Sequence, residues 1–180
     1  MTSATSAPYG GHNEAVDHAK YAHLEDEQRF VLAGVPAGSH TPRTIEDRYV
    51  LDTRLRVRVV TDDATGAREA KLGHKVQVDS SHPSAVWHTT MYLDDRELDA
   101  VGALTARAIS KRRWTVAGGC ADEFLGHLAG LVLFEGPRPV VAPSPCYEVT
   151  DDARFCGGEL SRLDADGALA LVAAARRLLA

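Results

Sequence analysis

The chain has 180 residues, a net charge of −5, 44% hydrophobic and 25% charged residues, which fits one soluble globular domain and argues against nucleic acid as a bulk partner. No apolar run approaches the roughly 18 residues of a membrane span, and the opening Met1-Thr-Ser-Ala-Thr5 lacks the basic and apolar regions of a signal peptide. A cytoplasmic protein without a membrane partner is therefore expected, and its three cysteines, Cys120, Cys146 and Cys156, read as reduced thiols because their spacing is neither a zinc pattern nor a disulfide framework.

Residues 1–19 are rich in Ser, Thr, Ala and Gly without any period, which predicts a flexible tail holding His12 and His18 ahead of a single domain over 20–180. Leu24 to Phe30 then alternates Glu25, Glu27 and Arg29; on a strand these three share one face. A Gly- and Pro-rich break follows at 33–38, and residues 39–44 read as loop with room for a short helix. The clearest period of two lies in Tyr49 to Val60, with Arg54, Arg56 and Arg58 on one face and Leu55, Val57 and Val59 on the other. A turn at Asp62 to Gly66 leads into Arg68 to Val78, where Lys71 and Lys75 share a face.

His82-Pro83-Ser84 interrupts the chain before a strand over Val86 to Leu93. A helix capped by Asp94 or Asp95 is expected to run to about Ala108, burying Leu98, Val101 and Leu104. Ile109 to Val116 returns to strand with Lys111 and Arg113 on one face, and Gly118-Gly119 reads as a hairpin turn into the stretch that carries Asp122. Ala129 to Gly136 places Glu135 in line with Leu131 and Leu133, the Pro-rich 137–145 cannot be a central strand, and Tyr147 to Thr150 suits a short closing strand. From Asp164 to Leu179 the alternation of Ala and Leu predicts a C-terminal helix.

Seven or eight strands joined by short turns predict a mainly β domain: a closed eight-stranded antiparallel barrel with helices packed outside, including the C-terminal one. With the ionic faces turned inward, the lumen holds Glu25, Glu27, Arg29, Arg54, Arg56, Arg58, Lys71, Lys75, Lys111, Arg113, Asp122 and Glu135. Unpaired buried charge of this density is costly, so the lumen calls for an anion and a metal. Guanidinium forks and ammonium groups suit phosphate oxygens; clustered carboxylates suit Mg²⁺ or Mn²⁺, which bridge to substrate phosphates. His74, His82, His88 and His127 have no partner at ligand spacing and read as surface or packing residues. Cys120 reads as a small packed residue.

The same residues resemble the CYTH domain proteins, or triphosphate tunnel metalloenzymes, over about residues 20–163. The resemblance rests on Lys20-Tyr-Ala-His-Leu-Glu25-Asp-Glu27-Gln-Arg29-Phe30, Asp52-Thr-Arg-Leu-Arg-Val-Arg58, Glu69-Ala-Lys71-Leu72, His88-Thr-Thr-Met-Tyr-Leu93, Lys111-Arg-Arg113, Asp122-Glu-Phe124, Leu128 to Glu135 and Glu148 to Phe155. It implies an eight-stranded tunnel that takes triphosphate-bearing substrates with Mg²⁺ or Mn²⁺. Glu25, Glu27, Asp122 and Glu135 are then the metal carboxylates. Arg29, Arg54, Arg56, Arg58, Lys71, Lys111 and Arg113 are the phosphate-binding cations, and Glu27 and Lys71 are the residues expected to act in catalysis, Glu27 by orienting a water. Two departures stand out: Gly136-Pro137 where relatives often carry a second glutamate, and His88 and Thr90 where they commonly carry arginine.

The expected function is a divalent-metal-dependent phosphohydrolase acting on a triphosphate or another phosphorylated small molecule. The alternatives are an adenylate cyclase of class IV type, a non-catalytic nucleotide- or polyphosphate-binding module, and a phosphatase shifted toward nucleotide mono- or diphosphates. A homodimer is left open.

Overall fold

The computed structural model describes residues 20–40, 42–79 and 84–180; the expected tail over 1–19, with His12 and His18, and the break at His82-Pro83 lie outside them. The strands are β1 (His23–Leu32), β2 (Arg43–Val50), β3 (Leu55–Asp62), β4 (Arg68–Gln77), β5 (Ala85–Leu93), β6 (Ala106–Val116), β7 (Gly119–Phe124), β8 (Val132–Pro137) and β9 (Cys146–Glu148). Eight of them follow one another antiparallel in the order β5-β4-β3-β2-β6-β7-β8-β1, and β1 pairs back onto β5 to close a barrel. The ninth, β9, joins the outer half of β1, opposite Phe30 to Leu32.

Strand β2 corrects the reading of the sequence. The run from Tyr49 to Val60 is not one strand but the end of β2, a turn, and the start of β3. Asp52 takes a left-handed backbone (φ 56°) in that turn, and Thr53 Oγ1 donates to Val50 O and accepts from Leu55 N, both at 3.0 Å. Arg54 therefore sits in the turn, out of line with Arg56 and Arg58. The charged triplet Glu46-Asp47-Arg48 hides β2 in the sequence, and no helix forms among the described residues of 39–44.

The helix α1 (Asp95–Gly102) begins as expected, with Asp94 accepting from Glu97 N at 2.8 Å and Glu97 returning to Asp94 N at 2.9 Å. It ends six residues short of Ala108 because Ala106 onward pairs with β2 instead; sheet pairing outweighs local helix preference. None of its residues is fully buried, and Leu104 is exposed. Arg48 of β2 holds its end through Nη1 to Gly102 O at 2.8 Å.

One end of the barrel is plugged. The single turn α2 (Gly157–Leu160) and the helix α3 (Ala165–Leu178), capped by Asp164, pack there. Ala168, Leu171, Val172 and Ala175, spaced as one helical face, join Val31, Ile109, Phe124, Leu128, Leu131, Leu133, Phe155 and Leu160 in the main core. A second cluster, Phe30, Leu32, Ala121, Val132 and Phe134 with Trp114 against it, lies outside β1, β7 and β8. The plug brings Gly157 against the ring of Tyr49, so close that a Cβ there would overlap the phenol oxygen. Gly157→Ala is expected to cost about 1–3 kcal/mol, read by urea unfolding, because the Tyr49 ring must move aside to admit the added methyl group.

Candidate functional site

Cross-strand register decides which lumen charges meet. Asp47 of β2 stands opposite Arg58 of β3 and accepts from it at 2.6 and 2.7 Å, with Arg56 Nε a further 3.6 Å away. Its carboxyl is fully buried. Burial would raise its pKa, yet the two arginines hold it far below the usual range. Sequence reasoning missed Asp47 because it missed β2. Arg113 of β6 stands opposite Asp122 of β7; it donates to both oxygens at 2.7 Å, while Lys111 Nζ reaches Oδ2 at 2.5 Å.

Arg29 of β1 stands opposite Glu135 of β8 and donates to it at 2.8 Å; Arg113 reaches the other oxygen at 3.2 Å. Glu135 is consequently held well below the ordinary carboxylate range, Arg29 and its neighbouring cations overcoming the cost of burial. Nη1 of Arg29 also lies 3.4 Å from Sγ of Cys156, a contact for which the sequence carries no period. At the other end of β1, Lys75 and His88 are cross-strand neighbours and both take Glu25, at 2.6 Å from Nζ and 2.5 Å from Nδ1. Burial opposes ionisation of Glu25, but His88 and Lys75 outweigh it and bring its pKa to about 2. His88 is thus a lumen residue and not the surface or packing histidine expected. A Cβ built on Gly73 would lie 2.8 Å from its Nε2 and 3.6 Å from Arg56 Nη2, so the missing side chain makes room for both.

Glu27 is the exception. Among the described residues no hydrogen bond or ion pair reaches its carboxylate, and its cross-strand neighbour is Pro137, which has nothing to offer. Burial raises its pKa, and the charges of Glu135 and Glu25 push it further in the same direction. Arg56 is under-satisfied as well: its Nε is buried without a hydrogen-bond partner.

These side chains surround two joined cavities. The inner one, about 360 Å³, is walled by Glu25, Glu27, Arg29, Arg56, Arg58, Lys75, His88, Lys111, Arg113 and Glu135, with Arg54 at its rim and Tyr49, Phe124, Phe155 and Cys156 toward the plug. The outer one, about 490 Å³, shares Glu25, Arg56, Arg58, His88 and Arg113 with it and adds Arg43, Glu69, Lys71 and Tyr92. Lys71 belongs to the outer space alone, bonded to Glu69 at 2.7 Å. Nine Lys and Arg side chains line the two spaces against four carboxylates on the walls, with Asp47 and Asp122 buried behind them, an excess of three positive charges. The structure therefore brings together every expected phosphate-binding cation, with Arg54 and Lys71 at the periphery.

The four expected metal carboxylates are not assembled as one cluster: among the described residues no group of three His, Cys, Asp or Glu side chains is arranged to hold an ion. Both oxygens of Asp122 and of Glu135 are committed to cations, and those of Glu25 to Lys75 and His88. Glu27 does fit a hard cation, being a half-buried carboxylate without a partner beside two others, and Mg²⁺ commonly takes only one or two protein carboxylates with water and phosphate oxygens completing its shell.

No family model matches the chain and no curated protein matches it. Similar solved structures include a conserved hypothetical protein from Pyrococcus furiosus, with a TM-score of 0.45 and 14% identity over 87% of this chain and 90% of that one. The PH1012 protein from Pyrococcus horikoshii OT3 gives 0.44 and 15% over 86% and 89%.

Proposed function

We propose that the chain is a divalent-metal-dependent phosphohydrolase of the CYTH type, acting on a phosphorylated small molecule bound in the barrel. What carries this reading is the unpartnered, half-buried Glu27 beside a cavity ringed by arginines and lysines from β1, β3, β4 and β6. Arg56, short of a hydrogen-bond partner, and Arg58, fixed by Asp47, face the same space and present donors to phosphate oxygens. Arg113, Arg29 and Lys111 neutralise charge as it spreads over the transferring group. Glu27 orients the attacking water through its carboxylate. Mg²⁺ or Mn²⁺ would be held by Glu27 together with Glu135 or Glu25, once that carboxylate leaves its present partners, and would supply Lewis acidity.

A phosphate-release screen over triphosphates, nucleotides and sugar phosphates, with and without Mn²⁺, tests the proposal. Release is expected only with metal, and Arg56→Ala should lower it about 100-fold while leaving the melting temperature within a few degrees. Metal-independent release, or none from any compound, would refute it. Tight phosphate binding without turnover would instead favour the non-catalytic binding module, a reading supported by the engagement of Glu25 and Glu135 with side chains of the barrel itself.

A further inference from the structure

The outer cavity has a lining that phosphate does not explain. Tyr21 and Tyr92 both face it, and both remain largely open, at 73% and 67% exposure. Each ring carries an ammonium 4.9 Å from its centroid, Lys20 over Tyr21 and Lys71 over Tyr92. Two exposed rings on a concave wall leave apolar surface in water, which is unfavourable until something flat covers it. An inorganic polyphosphate has only charge and no apolar face, so it gains nothing from this wall. A planar heteroaromatic ring gains from stacking, which tolerates many ring types, and its π face suits the same lysines.

The outer space, about 490 Å³, falls within the size range of small-molecule sites. Because Arg56, Arg58 and Arg113 line both cavities, one molecule can reach from the tyrosine wall to the arginines.

We infer that the outer cavity is a binding subsite for a flat aromatic ring, so that the ligand is an organic phosphate such as a nucleotide or another heteroaromatic phosphate ester. Inorganic polyphosphate is then not the preferred ligand. The inference rests on the phosphate reading of the inner cavity.

Calorimetric titration of the full chain with adenosine triphosphate, thymidine triphosphate and methyl triphosphate tests it, since all three present the same phosphate chain and only two carry a ring. Both nucleotides should bind about tenfold more tightly than methyl triphosphate, or better. Tyr92→Ala should bring that ratio close to one and Tyr92→Phe should restore it, because the ring and not the hydroxyl is responsible; Leu169→Ala, on the far helix α3, should leave every affinity as it was. Equal binding of all three by the unaltered chain would overturn the ring subsite, as would an unchanged ratio in a Tyr21→Ala/Tyr92→Ala double variant. If all three bind equally and Arg56→Ala weakens each, the phosphate reading stands and the subsite falls. If none binds, the phosphate reading falls and takes the subsite with it.

Discussion

Asp47→Asn is expected to lower the melting temperature by about 10 °C and to abolish detectable phosphate binding. The carboxylate is fully buried and takes both donors of Arg58 in line, with Arg56 close by. Removing one partner of such a pair leaves a guanidinium in the wall without its counter-charge, which costs about 3 kcal/mol, or about 10 °C for a chain of this size. The functional loss has a separate cause: without Asp47, Arg56 and Arg58 no longer hold their donors toward the cavity. The two effects separate by pH. Asp47 has its pKa depressed from an ordinary 3.8, so its stabilisation is fully present above that value and is lost as pH falls below it. Acid titration followed by circular dichroism should show the unaltered chain losing ground to the Asn variant below pH 3.8. A variant as stable as the parent at pH 7 would show that the pair does not hold the wall.

Glu27→Gln should do the opposite to stability and more to activity. The carboxylate is half-buried beside two others with no partner of its own, and its pKa is raised above 4.5 by partial burial, then by Glu135 and Glu25. A raised acid favours the protonated form in the fold, so the ionised group destabilises increasingly as pH rises above 4.5 and through the folded pKa. Gln is isosteric and neutral. The metal-free variant should therefore match the parent near pH 4 and melt a few degrees higher at pH 7, read by differential scanning calorimetry. In the same variant the melting shift produced by Mn²⁺ in the parent should vanish, and turnover should fall by about 100-fold or more. Retention of the Mn²⁺ shift would place the ion elsewhere, and a variant less stable at pH 7 would show that Glu27 has a partner in solution.

Much of this site was legible in one sequence because a strand sorts its residues by parity. Glu25, Glu27 and Arg29, Arg56 and Arg58, Lys71 and Lys75, and Lys111 and Arg113 all fall on the lumen face as the period of two predicts. Parity does not give register, and register sets partners: that Arg113 meets Asp122 while Glu27 meets Pro137 depends on turn lengths fixed only by closure. Strand β2 was hidden because three of its middle residues are charged, so the alternation of Ile45, Asp47 and Tyr49 carried no hydrophobic signal. His88 was misjudged because its partners, Glu25 and Lys75, come from two other strands. Helix α1 was overestimated because Thr105 to Ala108 can continue a helix locally, and only pairing with β2 removes that choice.

The Arg29–Glu135–Arg113 bridge has a consequence for how the lumen fills. A phosphate oxygen that takes the Arg29 Nε or Arg113 Nη2 donor now bonded to Glu135 displaces that carboxylate, which lies within electrostatic reach of Glu27. On the proposed function, loading an anion at those donors would leave a second negative group beside Glu27 for a cation, and a cation that drew Glu135 off its arginines would free them for the anion. The two ligands would then trade one carboxylate between them. Linkage makes such an exchange reciprocal, so each must raise the affinity of the other by the same factor.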